Sequence, residues 1–114
     1  HKGLGIINGQ VIKIPVEIKE EKICRVVPHV GWNKINIKKK SSKILSHIKS
    51  EDYFYFVHSF MAVPSNEDDL LISCNYQNFE FAAGINKENI FGLQFHPEKS
   101  GEKGLKIIKN FIEL

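Results

Sequence analysis

Gly92-Leu93-Gln94-Phe95-His96-Pro97-Glu98-Lys99-Ser100 is the stretch from which the rest of the chain can be read. In an extended run Gly92, Gln94 and His96 share one face while Phe91, Leu93 and Phe95 take the other, because side chains alternate across a strand. Pro97 has no amide hydrogen and stops the ladder, which leaves Glu98 two residues past His96 at the strand's C-terminal end. Ligands of open α/β sheets bind at that end. An imidazole placed there can take a proton from a nucleophile and return it to a leaving amine. It does so if a carboxylate accepts the hydrogen bond from its other ring nitrogen and fixes its tautomer. His96 and Glu98 are a candidate base and orienter, although the bare tripeptide His96-Pro97-Glu98 reads more readily as a surface ion pair.

Downstream of this stretch, residues 101–114 place Leu105, Ile108 and Ile112 on one helical stripe, flanked by Ile107 and Phe111. Ser100 is positioned to cap that helix, with Glu102 in its positive first turn and Lys106 and Lys109 further along. Upstream, short runs of β-branched and aromatic residues between turn signals predict strands at 9–15, 23–28, 53–58, 70–76, 79–86 and 90–96. Pro15, Pro28, Pro64 and Pro97 fall at the ends of these runs or beyond them, and Lys87-Glu88-Asn89 makes the last two strands hairpin partners. Tyr53-Phe54-Tyr55-Phe56-Val57 is apolar on both parities, which predicts a central strand covered on both faces. One further short helix is predicted at 42–48. Six strands against two helices predict part of an α/β domain whose helix-rich portion lies elsewhere; no repeat or linker divides residues 1–114.

The composition, 42% hydrophobic and 25% charged over 114 residues, suits a soluble globular chain and excludes a disordered one. No segment approaches the ~20 apolar residues of a membrane span, and His1-Lys2-Gly3-Leu4-Gly5 has no signal-peptide pattern, so a cytoplasmic protein with no membrane partner is expected. The net charge of +3 is spread along the chain except at Lys38-Lys39-Lys40. That triplet, with Lys34 and Lys43, lacks aromatic interleaving and reads as a solvated loop, with no nucleic acid as partner. Cys24 and Cys74 lie within apolar runs and read as reduced, buried residues. His29 has no second ligand at helical or strand spacing, so no metal is expected, and His47 reads as exposed.

Three motifs occur in order: Pro28-His29-Val30-Gly31-Trp32-Asn33, Tyr55-Phe56-Val57-His58-Ser59-Phe60, and Gln94-Phe95-His96-Pro97-Glu98-Lys99-Ser100. The last resembles the signature that closes the active site of class I, or triad-type, glutamine amidotransferases. All three together are similar to the glutaminase subunits of imidazole glycerol phosphate synthases, over nearly the whole chain from Gly3-Leu4-Gly5 to Leu114. The resemblance implies the C-terminal part of a three-layer α/β amidotransferase domain, strand-rich with a C-terminal helix. It implies a cysteine that attacks the side-chain amide of L-glutamine, forms a thioester and releases ammonia. That ammonia goes to a cyclase subunit, the partner in a heterodimer that makes imidazole glycerol phosphate and an aminoimidazole carboxamide ribotide in histidine biosynthesis. By the same resemblance His96 is the general base and acid, Glu98 orients it, and His58, Ser59 and Phe60 contact glutamine. Pro28, His29, Gly31, Trp32 and Asn33 face the cyclase, and no cofactor is implied. Phe60 stands where the family commonly has tyrosine, which removes a hydroxyl from that contact. Trp32 could simply fill core, but an indole beside an asparagine suits an interface anchor.

The family's nucleophile sits in a Gly-x-Cys-x-Gly elbow, and that pattern occurs nowhere in these residues. Ile23 and Arg25 flank Cys24, and Ser73 and Asn75 flank Cys74, so neither cysteine has a tight elbow with free backbone amides. The nucleophile is therefore expected upstream, and residues 1–114 alone are expected to hydrolyse no glutamine. Faces that upstream elements would cover are expected to be exposed, with partial disorder or self-association as the result. Two other readings fit the sequence. One is a paralogous amidotransferase subunit of surface-polysaccharide or flagellar sugar biosynthesis; the other is a non-catalytic interaction module that docks through Trp32.

Overall fold

In chain order the strands are β1 (Gly9–Lys13), β2 (Glu17–Lys19), β3 (Lys22–Arg25), β4 (His29–Lys34), β5 (Asn36–Ile37), β6 (Tyr53–His58), β7 (Phe60–Pro64), β8 (Leu70–Tyr76), β9 (Phe79–Lys87) and β10 (Ile90–Leu93). The helix α1 (Gly101–Ile112) follows, and single 3-10 turns occupy Lys43–Leu45, Glu67–Asp69 and Pro97–Lys99. This computed structural model describes residues 7–114 apart from the side chains of Ile23 and Cys24; Gly3-Leu4-Gly5 lies outside the described residues.

The main sheet is antiparallel in the order β1-β7-β9-β8-β5, with β10 paired to β9. The β8–β9 hairpin turns on Gln77 and Asn78, both at positive φ (47° and 64°), the two-residue turn whose twist matches its strands. β9 and β10 pair from Ile90↔Lys87 to Leu93↔Gly84, the hairpin that Lys87-Glu88-Asn89 predicts. β4 and β6 form a separate two-stranded ribbon in register from His29↔His58 to Lys34↔Tyr53, and β2 pairs with β3. The core is built from Ile14, Ile35, Phe54, Phe56, Leu71, Ile72 and Ile107.

The structure departs from the sequence reading at several points, each for a local reason. The strand predicted at 9–15 ends at Lys13; the Ile14 amide still donates to the Ser59 carbonyl in the same register, and Pro15, with no amide hydrogen, cannot continue the ladder. The run 23–28 keeps only Arg25 and its two predecessors as strand, and His29–Lys34 and Phe60–Pro64 are strands in their own right. The helix predicted at 42–48 is one 3-10 turn that buries Ile44 and Leu45, and His47 at φ 65° marks its end. The run 90–96 leaves β9 after Gln94, whose amide donates to the Ala83 carbonyl, and crosses to β6.

Two faces are also corrected. β6 buries Phe54, Phe56 and His58 but exposes Tyr53 and Val57, so it is covered on one face and not on both. On the same outer face of the ribbon Val30 and Trp32 are exposed, which gives the apolar surface that the excess of strand over helix implies. In α1 the buried stripe is Gly104, Ile107 and Asn110, whereas Leu105 and Ile112 of the predicted stripe are 61% and 74% exposed. Close approach explains the difference. A Cβ on Gly104 would overlap the Pro97 carbonyl oxygen and lie 2.7 Å from the Ser100 Cβ, so α1 docks where it has no side chain. Asn110 completes the contact by donating to the carbonyls of Ile44 (2.9 Å) and Ser46 (2.8 Å).

Candidate functional site

β6 is the axis of the site. One of its edges pairs with β4; at the other, the Tyr55 carbonyl receives the His96 amide at 3.0 Å. Tyr55 is thus flanked by Trp32 across the ribbon and by His96 on the opposite side. The Ser100 hydroxyl closes the segment by donating to the His96 carbonyl (2.6 Å) and accepting the Tyr55 amide (2.9 Å). Its side chain makes no capping hydrogen bond to α1, so the serine that the sequence offers as a helix cap instead clamps the turn Pro97–Lys99 to β6. The signal for this role lay inside the quoted motif, but a serine ahead of a helix is a cap by default.

Within that pinned turn His96 Nδ1 and Glu98 Oε1 are 2.8 Å apart. A carboxylate can only accept, so Nδ1 carries the hydrogen and a neutral His96 leaves Nε2 as a free base. Both side chains are partly open to solvent, at 38% and 56%. Glu98 is held below the usual carboxylate range, first by a hydrogen bond from its own backbone and then by the hydrogen bond from His96. It is therefore an anion at neutral pH and can steady a transient imidazolium.

The other sequence-derived residues separate by strand parity. On β4, His29 and Asn33 point inward and Val30 and Trp32 outward. His29 is 2% exposed and stacks between Tyr76 (ring centroids 3.9 Å) and Phe56 (4.8 Å). Trp32 is 54% exposed and meets only the edge of Tyr55 among the described ring pairs, at 5.9 Å. Pro28, just ahead of β4, is exposed, and Gly31 holds φ 131°, where a side chain would be strained. At the end of β6 His58 turns into the core, and just beyond it Phe60 is exposed. The His58 imidazole faces the Phe60 carbonyl through Nδ1 (2.9 Å) and His29 through Nε2 (2.9 Å). Ser59 fixes the turn through its carbonyl, which accepts from Ile14 at 2.9 Å.

Cys74 is fully buried, and burial pushes its thiol up to about 12, with Glu80 adding to the effect. A thiol in that state is no nucleophile at neutral pH. The Cys24 side chain lies outside the described set.

The chain as a whole, strand-rich and closed by a helix, is similar to known proteins. Residues 9–114 match the model of the family described as "Glutamine amidotransferase class-I", and the chain belongs to that family. It is 45% identical to the imidazole glycerol phosphate synthase subunit HisH of Pyrococcus furiosus, over 99% of this chain and 54% of that protein. To the subunit of the same description in Methanocaldococcus jannaschii it is 47% identical, over 99% of this chain and 53% of the other. The chain spans about half the length of the curated relatives it matches. A solved structure of a putative GMP synthase subunit from Thermoplasma acidophilum superposes with a TM-score of 0.65 at 23% identity, over 92% of this chain and 47% of that one. At that identity the likeness concerns the fold alone.

Proposed function

We propose that residues 1–114 are the C-terminal portion of one glutamine amidotransferase domain, in the glutaminase subunit of an imidazole glycerol phosphate synthase. The observation that carries this is the 2.8 Å contact between His96 Nδ1 and Glu98 in a chain 45% identical to such a subunit. In this reading a cysteine thiol from the rest of the domain gives its proton to His96 Nε2 as the sulfur attacks the glutamine side-chain carbonyl. The imidazolium, balanced by Glu98, then protonates the departing amine, so ammonia leaves and a thioester remains. Water, deprotonated by the same Nε2, cleaves the thioester to glutamate and regenerates the thiol. Preference for an oriented imidazole over a free one follows from the tautomer that Glu98 fixes.

In this reading the segment His58-Ser59-Phe60 contacts glutamine through its backbone, the Ser59 side chain and the Phe60 face, a division supported by the burial of the His58 ring and the exposure of Phe60. Trp32, exposed and apolar on the outer face of the ribbon, suits the anchor of a cyclase subunit in a cytoplasmic heterodimer, and its contact with Tyr55 brings that anchor next to the His96 segment. Ammonia released beside the partner can pass to it without dilution in water.

The test is ammonia release from L-glutamine by the full-length subunit with its cyclase. Activity that His96→Ala abolishes supports the reading, and activity that survives it removes His96 from the chemistry. Residues 1–114 alone should release none; His96-dependent release by them would overturn the need for an external thiol.

A further inference from the structure

Among the described residues, one polar cluster takes no part in the proton transfers above: half-buried Asn33 and buried His29 and His58, which run in a line to the Phe60 carbonyl. The hydrogen positions along this line are determined. The Phe60 carbonyl can only accept, so His58 Nδ1 carries the hydrogen across 2.9 Å. A neutral His58 then presents a lone pair at Nε2, and His29 Nδ1 must donate to it across 2.9 Å. His29 Nε2 is in turn an acceptor, and the Asn33 amide supplies the donor at 3.3 Å. Asn33 spends its other bonds on the Asn75 carbonyl (3.1 Å) and the Lys34 amide (2.8 Å). Every polar atom in the line is satisfied with both rings neutral.

We infer that His29 and His58 are a positioning pair for the proposed glutamine-contacting turn: the line of hydrogen bonds from Asn33 through both imidazoles to the Phe60 carbonyl fixes the Ser59–Phe60 backbone in its receiving shape. The inference rests on the glutaminase reading of that turn. Its geometric basis is the register His29↔His58, which sets the first residue of β4 against the last of β6, where the turn begins. The Ile14 amide on the Ser59 carbonyl and His58 on the Phe60 carbonyl both pin the turn, and Phe60 opens β7 in register with Lys13. A proton added to either ring sets two donors face to face. A charged His58 opposes His29 Nδ1, and a charged His29 opposes the Asn33 amide.

The surroundings do not favour such a charge. β6 packs Phe56 and β9 packs Phe81 against the rings, and β8 stacks Tyr76 on His29. Tyr76 donates its hydroxyl to the Val26 carbonyl, and burial raises it further from ionisation, against a smaller opposing pull from Arg25. Cys74, two residues earlier on β8, stays a neutral thiol. His29 is lowered from 6.5 to about 4, first by burial and then by His58; burial lowers His58 as well, against the Phe60 hydrogen bond.

The experiment uses the full-length subunit with its partner and reads kcat and KM for glutamine. His29→Phe keeps an aromatic ring in the stack but cannot donate. His29→Asn loses the ring but places an amide nitrogen where Nδ1 stands. A positioning role predicts that Phe raises KM about tenfold with kcat within about threefold, and that Asn keeps KM within about threefold of wild type. The reverse order, Phe tolerated and Asn not, means that the ring merely fills space and overturns the inference. A nitrogen NMR spectrum of the wild-type rings should show both as neutral Nδ1–H tautomers at pH 7, and an Nε2–H form on either would also overturn it. Absence of glutamine hydrolysis by wild type removes the glutaminase reading and this one with it; hydrolysis with KM indifferent to His29 removes this one alone.

Discussion

β6 carries histidine chemistry at two places, and the two could hardly be more different. At its C-terminal end His58 meets His29 at 2.9 Å, both buried, each imidazole the other's only ionisable hydrogen-bond partner among the described residues. Beside its middle, held to the Tyr55 backbone, His96 meets Glu98 at 2.8 Å with over a third of its side chain open to water. The hydrogen-bond lengths are nearly equal, so distance does not decide what the rings can do. The partner and the solvent do. A carboxylate stabilises an imidazolium at the moment it forms, whereas a second imidazole in an apolar shell opposes it. One pair can shuttle a proton, and the other is a neutral strut.

The comparison breaks most visibly if the charge is removed from the shuttle. His96→Ala should lower glutamine turnover by the full-length subunit about 10³-fold or more, and Glu98→Gln, which keeps the shape but loses the anion, by about 10²-fold or more. Ammonia release at saturating glutamine measures both. Retention of wild-type turnover by Glu98→Gln would mean that the contact orients nothing.

Next in size is the support under the shuttle. Gly104→Ala forces a methyl into the Pro97 carbonyl, on the turn that carries Glu98. Overpacking of this kind costs about 1–3 kcal/mol, and denaturant unfolding should show a loss toward the upper end because backbone, not a side-chain tip, is in the way. Turnover should fall with it, while the buried pair, which α1 does not touch in any described hydrogen bond, keeps its tautomers.

What the sequence showed and what it hid follow the same physical line. His96 and Glu98 were legible because two residues across a proline fix their relation locally. The β9–β10 hairpin was legible because the polar run Lys87-Glu88-Asn89 separates two apolar runs. The helix at the C-terminus was legible too, but not its docking face: hydrophobicity pointed to Leu105 and Ile112, and contact with the Pro97 carbonyl selected Gly104 instead. β4 and β7 were obscured by Gly31, Asn33 and the adjoining Ser59, which dilute the β signal over short runs. The His29–His58 pair could not be read at all, since residues 29 apart meet only through the β4–β6 register.

Lowering the pH sharpens the contrast. His29 is depressed to about 4 from an ordinary 6.5, so the unfolded chain binds the proton first. Stability from its neutral state is complete above pH 6.5 and is lost progressively as pH falls toward about 4. His58, lowered in the same direction, adds to the slope. The loss should be on the order of 2 kcal/mol over that window, and His29→Asn should flatten most of it. Equilibrium unfolding at several pH values measures the slope, and a wild-type curve flat between pH 4 and 6.5 would show that the rings gain no stability from being neutral.

The smallest effect belongs to the carboxylate. Glu98 is depressed below its ordinary value, so whatever it contributes to the fold is present above pH 4.5 and disappears as pH falls through its lowered midpoint, a window that opens near the acid end of the one for His29. The largest cause is the hydrogen bond from its own backbone and the next is the hydrogen bond from His96, with smaller pulls from the His96 and Lys99 charges working against burial. Carbon NMR can separate them. In wild type the Glu98 carboxyl should titrate below an ordinary glutamate, and in His96→Ala its midpoint should rise only part of the way back, because the backbone hydrogen bond survives the substitution. A complete return would mean that the imidazole alone holds the anion. In that case the turn pinned by Ser100 orients Glu98 only by way of the ring that Glu98 is supposed to orient.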